Sequence, residues 1–144
     1  MDQATSEINP MLDPRGAGAN LLRQGKFGEA ATVLREATAI DPGDEEAFSL
    51  LGAALASKGD SDQAVEAFKR AAELGAGNPR NHFNLGLAYQ ASKRLPEARL
   101  AFEKALTLNP GYDQARARLT ELAQQMGATV NRPTPTASAE GHTN

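Results

Sequence analysis

The sequence predicts an all-α solenoid of stacked helix pairs, closed at its C-terminal end by one further helix. The prediction rests on three features. Residues of matching type recur at a step of 34 positions through three successive units. Apolar residues inside each unit follow helical spacing. Ala and Leu are abundant while aromatics make up only 5% of the chain, and Ala and straight-chain residues lose little rotamer freedom in a helix.

The repeat is visible column by column. Gly18, Gly52 and Gly86 share one column, Ala30, Ala64 and Ala98 a second, and Ala37, Ala71 and Ala105 a third. Larger apolar residues keep the same step: Leu21, Leu55 and Tyr89; Leu34, Phe68 and Phe102; Ile40, Leu74 and Leu108. A period of this length marks a repeat architecture, in which each unit buries its apolar face only by stacking on a neighbour.

Within the second unit, Phe48, Leu51, Gly52 and Leu55 follow the i, i+3, i+4, i+7 pattern, as do Ala64, Ala67, Phe68 and Ala71. Ser57-Lys58-Gly59-Asp60-Ser61 interrupts the pattern with a turn glycine and N-cap candidates. Each unit is therefore a helix, a tight turn and a second helix. Asp13-Pro14 and Asn78-Pro79 put a capping side chain before a proline at the first helical position. Asp44, Glu45 and Glu46 bring carboxylates to the positive end of a helix dipole. Helices are expected at about 14–24, 28–40, 45–57, 61–74, 79–92, 96–108 and 113–126. The units are then 11–44, 45–78 and 79–112, followed by a capping helix over 113–126. That last helix turns Ala115, Leu119, Leu122 and Met126 to the stack and keeps its other face polar. Residues 1–10 and 127–144 are expected to be disordered, the latter rich in Pro, Thr, Ser and Ala.

The first helix carries Pro14, Gly16, Ala17 and Gly18, and with two glycines it should be the weakest. Each glycine costs about 1 kcal/mol against alanine in a helix. Gly75-Ala76-Gly77 lacks the proline that follows the other units (Pro42, Pro110), which makes that junction a candidate hinge.

Composition narrows the function. With 15 basic and 18 acidic residues the net charge is −3, without the basic excess of a nucleic-acid binder. The chain has no cysteine, hence no disulfide, thiol catalysis or thiolate metal site. The N-terminus has no signal-peptide pattern, and no apolar run approaches the roughly 20 residues of a membrane span. A cytoplasmic protein without direct membrane insertion is the expectation.

No catalytic constellation emerges. His82 takes the column of Phe48 and reads as a packing residue, and His142 lies in the tail. Gly75-Ala76-Gly77-Asn78 lacks the Lys-Ser/Thr ending of a phosphate loop. Asp44-Glu45-Glu46 is accounted for by capping, and Glu66 with Arg70 by a solvated i, i+4 pair. Neither enzymatic activity nor a cofactor or metal is expected.

The columns Phe48, Leu51-Gly52, Leu55, Ala64, Phe68, Ala71 and His82, Leu85-Gly86, Tyr89, Ala98, Phe102, Ala105, Pro110 resemble the tetratricopeptide-repeat family. Ala17-Gly18, Leu21, Ala30, Leu34, Ala37 and Pro42 give a weaker first copy. The resemblance covers residues 11–126. It implies a right-handed solenoid of three repeats and a capping helix, whose first helices line a concave groove holding a protein or peptide segment. Carried onto this sequence, the groove comprises Leu12, Arg15, Ala19 and Arg23; Glu46, Ser49, Leu50 and Ala53; Arg80, Phe83, Asn84 and Leu87; and Arg118. Leu12, Leu50, Phe83 and Leu87 are expected to stand open as apolar anchors among four arginines. That pattern suits a partner with apolar and acidic groups.

Two ligand sets known in this family are matched only in part: Arg15 and Arg80 stand at two of the five positions of a carboxylate clamp, and Asn84 at one position of an asparagine ladder. Ala19 and Leu50 stand where a carboxylate clamp for chaperone tails needs asparagines, and Asn84 where it needs an arginine. An asparagine ladder fails at Gly16 and Leu50. Other readings are a self-assembling homo-oligomer that uses exposed solenoid ends, and a chaperone-like holder of hydrophobic segments in bacterial secretion.

Overall fold

The computed structural model describes residues 13–131. The expected disorder of 1–10, the groove residue Leu12 and the far end of the tail lie outside these. Seven helices follow one another among the described residues: α1 (Pro14–Arg23), α2 (Phe27–Ile40), α3 (Glu45–Lys58), α4 (Ser61–Leu74), α5 (Pro79–Ala91), α6 (Leu95–Leu108) and α7 (Asp113–Asn131). Each helix packs on the next, and α1 also reaches α3. The result is an all-α solenoid.

The starts of the first helices follow from their caps. The Asp13 carboxylate accepts from the Gly16 amide at 3.0 Å, Asp44 from Ala47 at 3.1 Å and Asn78 from Arg80 at 3.0 Å. The second helices lack such caps. Asp60 stands at the N-cap of α4 without a capping bond and pairs instead with Lys58 at 3.2 Å. Each hairpin is closed by an amide reaching back five residues: Lys26 to the Leu21 carbonyl, Asp60 to Leu55 and Arg94 to Tyr89, at 2.8–2.9 Å.

That closure forces one residue per hairpin into the left-handed region. Gly25 (φ 77°) and Gly59 (φ 94°) take it freely, but in the third hairpin the position is Lys93 (φ 65°). A side chain there costs about 1 kcal/mol. Lys93→Gly should therefore stabilise the protein, raising the thermal midpoint by about 2–4 °C. A lowered midpoint in a calorimetric scan would contradict this.

The glycine column seats the second helices. A Cβ on Gly52 would lie 2.7 Å from the Phe68 ring, and one on Gly86 would lie 2.6 Å from Phe102. Phe68 thus packs onto the Gly52 backbone itself. In α1, a Cβ on Gly18 would meet Leu34 at 2.4 Å, and one on Gly16 would meet the capping Asp13 carboxylate at 2.2 Å. The two glycines of α1 thus also let the Leu34 side chain and the capping Asp13 carboxylate approach closely.

The columns Ala30/Ala64/Ala98, Ala37/Ala71/Ala105 and Leu34/Phe68/Phe102 are all buried. The column Ile40/Leu74/Leu108 is not: Ile40 is 68% exposed at the end of α2. Three other expectations need correction. The last helix runs through Gly127 to Asn131 instead of ending at 126, since an interior glycine costs only about 1 kcal/mol of propensity. Arg70 pairs with Glu73 at 3.3 Å, not with Glu66, and its guanidinium lies 5.8 Å from the Phe48 ring centre.

The third correction concerns the Gly75-Ala76-Gly77 junction, which is braced rather than a loose hinge. Asn81 is buried, and its amide donates to the Glu45 carboxylate at 2.7 Å and to the Gly75 and Ala71 carbonyls at 3.1 and 3.2 Å. Asn78 donates to the same Glu45 oxygen at 3.0 Å, and His82 Nε2 donates to the Ala76 carbonyl at 2.8 Å. Glu45 therefore does more than favour a helix dipole. It ties the start of α3 to the start of α5.

Candidate functional site: the face of the first helices

Two hollows open on the face formed by α3, α5 and α7, and they meet at Asn84. One, of about 560 Å³, lies between the N-terminal ends of α5 and α7; Arg80, Phe83, Asn84, Tyr112 and Gln114 line it. The other, of about 260 Å³, is lined by Ala53, Ala56 and Ser57 of α3, Ser61 and Phe68 of α4, and Asn84, Leu87, Ala88 and Ala91 of α5. Amide and guanidinium groups mark the first, and mainly apolar side chains, with the hydroxyls of Ser57 and Ser61 at its edge, the second.

The expected groove residues divide into groups. Ala53, Arg80, Phe83, Asn84 and Leu87 line these hollows together. Leu50, Ala53 and Leu87 are half-buried against the core, and Ser49 and Ala19 are also half-buried. Phe83 is not an open anchor. It is 9% exposed, with ring centres 5.6 Å from Phe102 and 5.0 Å from Tyr112. The sequence suggested an uncovered position because α7 and the turn before it come from the next unit of the stack.

The arginines divide as well. Arg15 lies 3.2 Å from Asp44 and 4.0 Å from Glu46, and Arg118 lies 3.3 Å from Glu121. Arg23 donates to Asn20 at 2.9 Å. Arg80 has no carboxylate partner among the described residues, and the Asn84 side chain has no hydrogen-bond partner among them. Asn20, Asn78, Asn81 and Asn109 all spend theirs within the chain.

Tyr112 was not singled out from sequence. It stands one repeat after Asn78 and two after Asp44, the capping column, so an aromatic breaking a polar column was the available signal. Burial raises its hydroxyl above the usual tyrosine value, and the Arg80 charge pulls it partly back. The phenol is accordingly neutral at physiological pH and able to donate. Asn81 broke a column in the same way, standing where Ala47 is fully buried.

Tetratricopeptide-repeat family models match residues 16–79 and 79–112. The chain belongs to the tetratricopeptide-repeat family. The two matches meet at Pro79, where α5 begins. Among curated relatives, the tetratricopeptide-repeat-containing protein YpiA of Bacillus subtilis is 33% identical over 84 residues. The match covers 58% of this chain and 20% of YpiA, so the chain spans a fifth of that relative's length. Two solved structures share the fold. The first tetratricopeptide-repeat domain of Spaghetti (RPAP3), bound to an HSP90 peptide, superimposes with a TM-score of 0.77 at 22% identity, covering 81% of this chain and 92% of that one. The Yersinia enterocolitica secretion chaperone SycD, in complex with a peptide of the translocator YopD, gives 0.71 at 20% identity, covering 85% and 96%.

Two further clefts lie off this face and are related by one repeat. Phe48, Leu51 and Leu55 line the first, and His82, Leu85, Tyr89 and Leu100 the second. Arg70 covers Phe48 in the first, whereas Leu100 in the second is 60% exposed. Among the described residues, no helix is long and apolar enough to cross a membrane.

Proposed function

We propose that this tetratricopeptide-repeat unit is a protein-interaction module that binds a peptide or helical segment on the face of its first helices. The observation that carries the reading is the junction at Asn84. There, a hollow with an uncompensated Arg80 meets an apolar one, and two polar side chains on one helix are left free for a ligand. Peptides held by the similarly folded Spaghetti domain and by SycD support the same use of the fold. The further candidates Arg15, Ala19, Arg23, Glu46, Ser49, Leu50 and Arg118 extend this surface toward both ends, and Leu12 lies outside the described residues. Arg15, Glu46 and Arg118 would contribute only after exchanging their present partners. Holding hydrophobic secretion substrates is one version of this role, and a cytoplasmic adaptor is another.

The test is selection of a displayed random-peptide library against the full chain. Selected peptides should bind Arg80→Glu and Ala53→Glu variants about tenfold or more weaker than wild type, a loss of about 1.4 kcal/mol. Leu100→Glu, off this face, should leave binding unchanged. Equal binding by all four proteins would reject the assignment.

Exposed Ile40 and Leu100 support a second reading, self-assembly through surfaces outside the groove. Light scattering over a concentration series would then give a rising mass that Leu100→Glu abolishes.

A further inference from the structure

We infer that copies of this chain associate head to tail, with α2 of one copy packed antiparallel on α6 of the next. The inference rests on the self-assembly reading above and adds the two surfaces and their register. The two clefts related by one repeat differ in one respect: the first is closed over and the second is not. In the first, Arg35 of α2 reaches across to Gln63 of α4 at 2.5 Å, and Arg70 covers Phe48. One repeat on, the corresponding residues are Lys69 and Glu97, and Glu97 pairs instead with Arg94 at 3.6 Å. Leu100 stands where the first cleft has Glu66, which leaves an open hollow of about 250 Å³ beside Leu85, Tyr89 and Leu100.

The second helices carry matching stripes, each stepping by four residues: Thr32, Glu36 and Ile40 on α2, and Leu100, Lys104 and Leu108 on α6. Successive members stand about 6 Å apart along the helix. The equivalent stripe on α4 is already used, since Arg70 pairs with Glu73 and lies over Phe48, and Leu74 is half-buried. On α2 and α6 the central charge is exposed and has no ionic partner among the described residues. Laid antiparallel with Glu36 level with Lys104, the two stripes bring Ile40 to Leu100 and its hollow, and Thr32 to Leu108. One contact then covers Ile40, Leu100 and Leu108, the exposed large apolar residues among those described. Charge rejects the identical pairings: α2 on α2 sets Glu36 against Glu36, and α6 on α6 sets Lys104 against Lys104. The contact therefore joins two different surfaces, leaves each pair with one unused surface at either end, and does not stop at two copies. A single pair of helix stripes falls below the roughly 1,200 Å² of a stable complex, so the association is weak.

The test is light scattering on the full chain and its variants up to millimolar concentration, with helicity checked by circular dichroism. Wild type is expected to gain mass with concentration, and to gain less in high salt. Glu36→Lys and Lys104→Glu should each weaken association about tenfold, and a double variant carrying both should regain it. Ile40→Glu and Leu100→Glu should each stay monomeric. An equimolar mixture of those two keeps one intact surface pair, so it should reach twice the monomer mass and stop. A wild-type mass that never rises overturns the inference together with the self-assembly reading. A rising mass that the charge reversals leave unchanged overturns this pairing alone. So does a mixture that stays monomeric or grows beyond two copies.

Discussion

Phe102→Ala should destabilise the protein by about 3–5 kcal/mol, the range for removing a fully buried aromatic side chain. The ring is fully buried, lies against the Gly86 backbone and sits 5.6 Å from Phe83. Those neighbours cannot close on the space it leaves, because Gly86 has no side chain to advance and Phe83 is also held by Tyr112. Since domains are stable by only about 5–15 kcal/mol, the loss is a large share of the total. It should appear in urea as a lowered midpoint at nearly constant slope. A loss below about 1 kcal/mol would mean that the α5–α6 interface is not packed as described. Because Phe83 and Tyr112 also form the floor of the larger hollow, this variant should weaken groove binding as well.

The second large effect concerns the junction between the second and third repeats. Asn81→Ala should cost about 2–3 kcal/mol, since it removes a charge-assisted hydrogen bond to Glu45 and two bonds to backbone carbonyls from a buried position. Asn81→Asp separates hydrogen bonding from volume. It keeps the shape but sets a second carboxylate against that of Glu45 and removes the donor. The introduced carboxyl should have a raised pKa in the folded state, so stability should be lost as pH rises through that value and recovered toward about pH 4. Urea midpoints at pH 4 and pH 7 check this. An Asn81→Asp variant as stable as wild type at pH 7 would remove the Glu45–Asn81 tie from the account.

The parts of the fold that repeat were legible, and the parts that break the repeat were not. Gly18, Gly52 and Gly86 with Leu34, Phe68 and Phe102 announce helix pairs pressed together, because a fixed step forces the same contact in each unit. The brace at the Gly75 junction is different. Glu45 and Asn81 are 36 positions apart, and nothing local to either residue marks the pair. Phe83 looked like an open anchor because residue spacing shows which side of a helix a residue occupies, not whether the following unit covers it. Tyr112 went unseen because it lies in a turn and not on a helix. Of the arginines, only geometry separates Arg15, already occupied by Asp44, from Arg80, which is not.

The central claim is that ligands dock on the first-helix face, and chemical-shift mapping of a library-selected peptide on the 15N-labelled full chain tests it most directly. The account predicts shifts gathered on α3, α5 and the start of α7, led by Arg80, Asn84 and Leu87. Shifts gathered instead on α4 and α6, around Leu100 and His82, would contradict it.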